Sequence, residues 1–149
     1  MDIQALDLTN RPPRSPRVRL GGYAILPRIL DKGRATLAGK NGEYTYNCPL
    51  DQRFFTFAGV DAEALKQQLS VGLGDGEILS WISANSGNHP SPSDIAAWSA
   101  LAEERTPSDV ESRDYFNGLH KNVAPHREDV ATWFELLDVD DYASYGGRV

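Results

Sequence analysis

The sequence has a single cysteine, Cys48, in 149 residues. One thiol excludes an internal disulfide framework and suits a reducing compartment, so a cytoplasmic location is expected. Histidine is scarce as well: His89, His120 and His126 are all there are. His120 and His126 lie six apart rather than at the i, i+4 spacing that puts two imidazoles on one helix face, and no second motif completes a set. No metal is expected. The stretch Asp138-Val139-Asp140-Asp141 lacks the later ligands of a calcium loop and reads as a turn with a helix N-terminus. No cofactor is expected either: Gly72-Leu73-Gly74-Asp75-Gly76 follows no strand and leads into no Gly-Lys-Ser/Thr, which makes it a turn and not a phosphate loop. Long apolar runs are also missing. The longest, Tyr23 to Leu30, is broken by Pro27 and Arg28, far short of the roughly 20 residues of a membrane span. The opening Met1-Asp2-Ile3-Gln4 has no basic stretch leading into an apolar one, so no secretory leader is expected. Internal repeats and low-complexity tracts are absent.

What is present suits one soluble domain over residues 1–149. Apolar residues make up 40% of the chain and charged residues 24%, with a mean hydropathy of −0.45; that is enough to build a core. The net charge of −6 is unevenly spread. Residues 1–53 hold nine Lys/Arg against five Asp/Glu, and residues 54–149 hold six against sixteen. An acidic whole argues against a nucleic-acid partner. The basic third is open to two readings: a local anion site, or a surface that faces the acidic remainder of its own fold.

Asn10 to Arg17 places three prolines among arginines and extends the lead-in formed by about the first 15 residues. Ser15-Pro16 reads as a cap and first position of a short helix to about Gly21, and Gly21-Gly22 as a sharp change of direction. Further helices are predicted over 24–38, 48–57, 62–71, 77–85, 94–105, 109–122 and from Pro125 onward. Ile95, Trp98 and Leu101 are expected to face inward, as are Val110, Tyr115 and Phe116. Trp81, Trp98 and Trp133 read as core. Ser86 to Ser93 is the clearest loop and the natural boundary between halves. A rival hairpin reading covers about 34–47, where Lys40-Asn41-Gly42-Glu43 is a turn signal and Glu43 to Asn47 alternates. The expected fold is therefore an all-α, compact array of six to eight short helices, with room for one small β-hairpin near 34–47.

Two clusters could carry chemistry. Arg11, Arg14 and Arg17, with Arg28, Lys32 and Arg34, gather guanidinium and ammonium groups suited to phosphate or carboxylate. Prolines stiffen the first three, and Arg28 and Lys32 share a helix face. The same arginines could instead pair with the acidic C-terminal half. Glu43, Tyr44, Asn47, Cys48 and Asp51 bring acids, a phenol, an amide and a thiol into nine residues. Cys48 near a helix N-terminus would be a nucleophile only with a base in reach, and no histidine is close in sequence.

Asp7-Leu8-Thr9-Asn10-Arg11-Pro12-Pro13-Arg14-Ser15-Pro16-Arg17, Leu20-Gly21-Gly22-Tyr23, Leu26-Pro27-Arg28, Asp31-Lys32, Arg34-Ala35 and Tyr46-Asn47-Cys48-Pro49-Leu50-Asp51 resemble an uncharacterised bacterial family of small proteins of about this length, known as a domain of unknown function. The resemblance implies a single bacterial domain and transfers no activity, substrate or cofactor. The residues favour a non-enzymatic binding or adaptor domain, its basic N-terminal surface taking a small anionic ligand or an acidic protein partner. The alternatives are a small cytoplasmic enzyme acting on a phosphate- or carboxylate-bearing metabolite, with Cys48, Tyr44, Glu43 or Asp51 at work, and a structural homodimer joining basic to acidic faces.

Overall fold

The computed structural model describes residues 3–149; the first two residues of the expected lead-in lie outside the described residues. In chain order come β1 (Arg19–Leu20), β2 (Tyr23–Ala24), α1 (Leu26–Leu37), α2 (Pro49–Ala58), α3 (Ala62–Ser70), α4 (Asp75–Asn85), α5 (Pro92–Glu104), α6 (Val110–Val123) and α7 (Trp133–Ser144). The fold is mainly helical, with one two-stranded antiparallel hairpin.

The hairpin sits at 19–24, not at 34–47. Gly21 and Gly22 both adopt positive φ, 57° and 85°, the combination a two-residue hairpin turn requires. In the rival turn, Lys40-Asn41-Gly42-Glu43, only Gly42 does so. There the backbone makes one turn, Tyr44 N–H donating to Asn41 O. Two phenols then anchor the segment beyond it: Tyr44 donates to Asp141 Oδ1 and Tyr46 to Ala62 O. The short helix expected at Pro16 is also replaced. Ser15 closes a single turn, and Ile25 N–H then donates to Pro16 O at 2.8 Å, so the segment is held by the residue after the hairpin instead of by its own ladder. Ile25 takes φ 67°, which is costly for a β-branched residue. Its buried side chain holds it there.

Helix starts follow their caps. Asp61 accepts from Ala64 N–H, Asp109 from Ser112 N–H and Thr132 from Glu135 N–H. Four starts differ from expectation. Helix α1 opens at Leu26 and not at 24, because Ala24 pairs in the hairpin and Ile25 turns left-handed. Ser91 caps α5, two residues ahead of Ser93. Asp75 opens α4, with Glu77 accepting from Gly74 N–H at 3.1 Å. Pro125 opens no helix: it follows the C-cap of α6 as a terminator, and α7 begins at the Thr132/Glu135 capping box.

A single cluster joins Tyr23, Ile29, Leu30, Phe54, Leu65, Leu69, Ile78, Ile82 and Phe134, drawing on β2, α1, α2, α3, α4 and α7. Gly33 lets α1 approach α3, since a Cβ there would lie 2.6 Å from Leu69 Cδ1. A smaller cluster of Phe116, Val130 and Leu136 meets it through Trp133. The three tryptophans lie against this core, each half-buried. Leu101, Val110 and Tyr115 face out. A spacing of three drifts off a 3.6-residue period, so on α5 the inward positions after Trp98 are Ser99 and Ala102. Ser99 accepts from Ala24 N–H and donates to Gly22 O, locking α5 to the hairpin. The loop expected to divide the chain into halves is tied to α2: Asn88 Nδ2 donates to Thr56 O and Phe57 O, and Gly87 N–H to Gly59 O.

Candidate functional site

Helix α1 carries Arg28, Asp31, Lys32 and Arg34, and the fold buries the first three. Each finds opposite charge within the chain. Asp31 accepts from Arg14 three times, from its backbone N–H at 2.8 Å and from Nε and an Nη at 3.0 Å each. Arg14 also reaches Asp75 Oδ2 at 2.8 Å, and Arg34 takes the other Asp75 oxygen at 2.8 Å. Arg28 meets Asp141 at 2.7 Å, and that carboxylate also accepts from Tyr44 at 2.7 Å. Lys32 meets Asp51 at 2.8 Å. Arg17 holds Asp138 at 3.1 Å, beside the Ser15 hydroxyl. Arg11 makes no ion pair among the described residues; its backbone N–H closes a turn on Asp7 O.

The titration directions follow this wiring. Burial works against the charged forms of Arg28 and Arg14, yet their carboxylate partners outweigh it and both guanidinium values are raised. Burial likewise opposes the Asp75 carboxylate, but Arg14 and Arg34 together pull its value below normal. Tyr44 is pushed up, first by burial and then by Asp141. Of the predicted cluster, Arg14, Arg17, Arg28, Lys32 and Arg34 thus each hold one of the chain's own carboxylates, and Arg11 does not. A second anion at those five would have to displace one of these.

The polar cluster around Cys48 is partly assembled. Asp51 is wholly buried; its Oδ2 accepts from Lys32, Asn47 N–H and Cys48 N–H, while Oδ1 has no partner. Cys48 Sγ lies 3.5 Å from Lys32 Nζ. Asn47 takes φ 64° to turn its N–H toward Asp51. Glu43 is exposed and stands outside the cluster. None of the hydrogen bonds at Cys48, Lys32 or Asp51 involves histidine, and His120 is engaged with Arg127 O. The arrangement satisfies a helix start and a buried ammonium; it places no imidazole beside the thiol.

A second place has the opposite electrostatics. Between α2 and α5 lies an open cleft of about 390 Å³, lined by Pro49, Gln52, Arg53, Thr56 and Phe57 of α2, by Trp98 of α5, and by Arg105 at the end of α5. The α2 residues fall at helical spacing along one stripe. Trp98 is fixed in place, stacked on Phe57 with ring centroids 5.0 Å apart and planes within 5°. Among the described residues no carboxylate lines this cleft. Arg105 Nε is buried with no hydrogen-bond partner among the described residues. Burial, and then the charge of Arg53, make the Arg105 guanidinium easier to deprotonate than usual. Neither Arg53 nor Arg105 stands out in the sequence. They lie 52 positions apart, and Arg105 reads simply as the end of a helix. The available signal was Arg53 beside Gln52 and one turn before Thr56-Phe57, a polar and aromatic stripe on a helix already expected.

Another hollow, of about 350 Å³, is lined by Ile3, Gln4, Arg34, Leu69 and residues 72–75; its cation and carboxylate, Arg34 and Asp75, are paired to each other. No helix among the described residues is long and apolar enough to cross a membrane.

Residues 10–143 match a family model described as a domain of unknown function (DUF5069). No curated protein matches the sequence.

Proposed function

The chain belongs to that family, and from this premise we propose that it is a non-enzymatic binding domain whose ligand-bearing feature is the cleft between α2 and α5, which takes a small anion. One observation carries the proposal. Two guanidinium groups share a cleft in which no carboxylate lies among the described residues. Arginine forks match carboxylate and phosphate oxygens in pairs. In this reading Arg14, Arg28, Lys32 and Arg34 hold the N-terminal segment, α7, α2 and α4 on α1, and ligand binding belongs to Arg53 and Arg105. The same proposal places the protein in the cytoplasm, where a lone thiol stays reduced, and in a bacterium, as the family resemblance implies.

Isothermal titration against a panel of nucleotides, sugar phosphates and organic acids tests it. Saturable heat is expected with at least one anionic class. That heat should vanish in Arg53→Gln and Arg105→Gln and persist in Arg17→Ala, whose pair with Asp138 lies elsewhere. Absence of saturable heat across the whole panel would refute the proposal, and so would binding that Arg53→Gln and Arg105→Gln leave intact.

A further inference from the structure

Resting on the reading of this cleft as an anion site, we infer that its ligand is a phosphate monoester carried on an apolar, flat group. The charge count leads to the phosphate. Arg53 and Arg105 bring two positive charges into one cleft, and among the described residues none that lines it is acidic. A carboxylate or a phosphate diester brings one negative charge and leaves a cation uncompensated beside a partly buried neighbour. A phosphate monoester carries close to two negative charges above its second pKa of about 6. It also offers three equivalent acceptor oxygens, enough to engage forks arriving from two different elements.

The apolar group follows from the rest of the lining. Pro49, Phe57 and Trp98 face the same cleft as the arginines. The indole is held by the Phe57 stack and by an edge contact with Phe54 at 6.3 Å, so the apolar wall is formed before a ligand arrives. Gln52 and Thr56 add neutral polar groups along the α2 stripe. The cleft volume of about 390 Å³ lies at the small end of the ~300–1,000 Å³ typical of ligand sites. That suits one ring and one phosphoryl group better than a large cofactor. A free metabolite and a phosphorylated tyrosine side chain share this chemistry.

Calorimetric titration with phenyl phosphate, inorganic phosphate, benzoate and phthalate, each at pH 5 and pH 7.5, tests the inference. At pH 7.5 phenyl phosphate should bind about tenfold tighter than inorganic phosphate, which lacks the ring, and about tenfold tighter than benzoate, which lacks the second charge. Its advantage over benzoate should shrink at pH 5, where the monoester has lost most of its second charge. Arg53→Gln and Arg105→Gln should each weaken phenyl phosphate at least about tenfold. Arg53 is exposed, so its variant keeps the fold, which circular dichroism checks. A phosphotyrosyl peptide binding more tightly than phenyl phosphate points to a protein source, and a weaker one to a metabolite; both support the ligand class. Benzoate or phthalate binding as tightly as phenyl phosphate, or an advantage unchanged between the two pH values, would overturn the phosphate inference and leave the anion site standing. No heat from any of the four anions at millimolar concentration, together with silence across the wider panel, would remove the site itself.

Discussion

The Lys32–Asp51 pair shows how much one side chain can hold. Both residues are buried, Lys32 at 4% exposure and Asp51 at 0%. Asp51 also accepts the two N–H groups that precede α2. Removing one member of a buried pair strands a charge, which typically costs about 3–5 kcal/mol. Asp51→Ala is therefore expected to lower the urea unfolding free energy by about that amount. Asp51→Asn, which retains an acceptor for the α2 N-terminus, should lose distinctly less. Equal losses would mean that the charge carries the effect and that the acceptor at the α2 N-terminus contributes little. Arg17–Asp138 is the contrast. It lies at the surface, and Arg17→Ala should change stability by no more than about 1 kcal/mol. Arginine identity alone thus says little about its role: Arg17, Arg28 and Arg105 respectively sit at an exposed pair, in a buried pair and in a cleft without a counterion.

Among the elements, α1 and α7 test the packing account. Gly33 faces Leu69 and Tyr46 so closely that an added methyl group must displace one of them. Gly33→Ala should destabilise by about 1–3 kcal/mol through overpacking, despite the better helix propensity of alanine. A stabilised variant in chemical denaturation would contradict the α1–α3 approach. At α7 the Thr132 cap should be worth about 1 kcal/mol on replacement by Ala, while Pro125→Ala should stay within about 0.5 kcal/mol. The chain's helices were legible because apolar periodicity and capping residues are local signals, as at Asp61 and Asp109. Pattern and structure part where two local signals compete. Pro125 resembled a helix start, but the Thr132/Glu135 box satisfies more backbone donors. Asn41-Gly42 resembled a hairpin turn, but Gly21-Gly22 supplies both positive φ values. The Arg53–Arg105 cleft was not legible, because its two sides belong to helices whose contact depends on how Phe57 meets Trp98.

Across the whole molecule, the separation of charge along the sequence becomes contact in space. Arg17–Asp138, Arg19–Glu103, Arg28–Asp141 and the Asp75 pairs with Arg14 and Arg34 all join the basic first third to the acidic remainder. Stability at low pH should therefore depend on these carboxylates staying ionised. Asp75 sets the sign. Burial raises its value, but the two arginines lower it further, leaving the folded value below the ordinary 3.8. A group depressed in the folded state contributes stability that is complete above its unfolded value and is lost as pH falls through the folded one. Urea midpoints measured from pH 6 downward should thus fall once pH drops below about 4. Asp75→Asn should be less stable at neutral pH and show a shallower acid decline, because it has no proton to take up. Parallel acid declines in the two proteins would mean that Arg14 and Arg34 do not hold Asp75 ionised, and that the N-terminal segment is fastened to α4 by something other than charge.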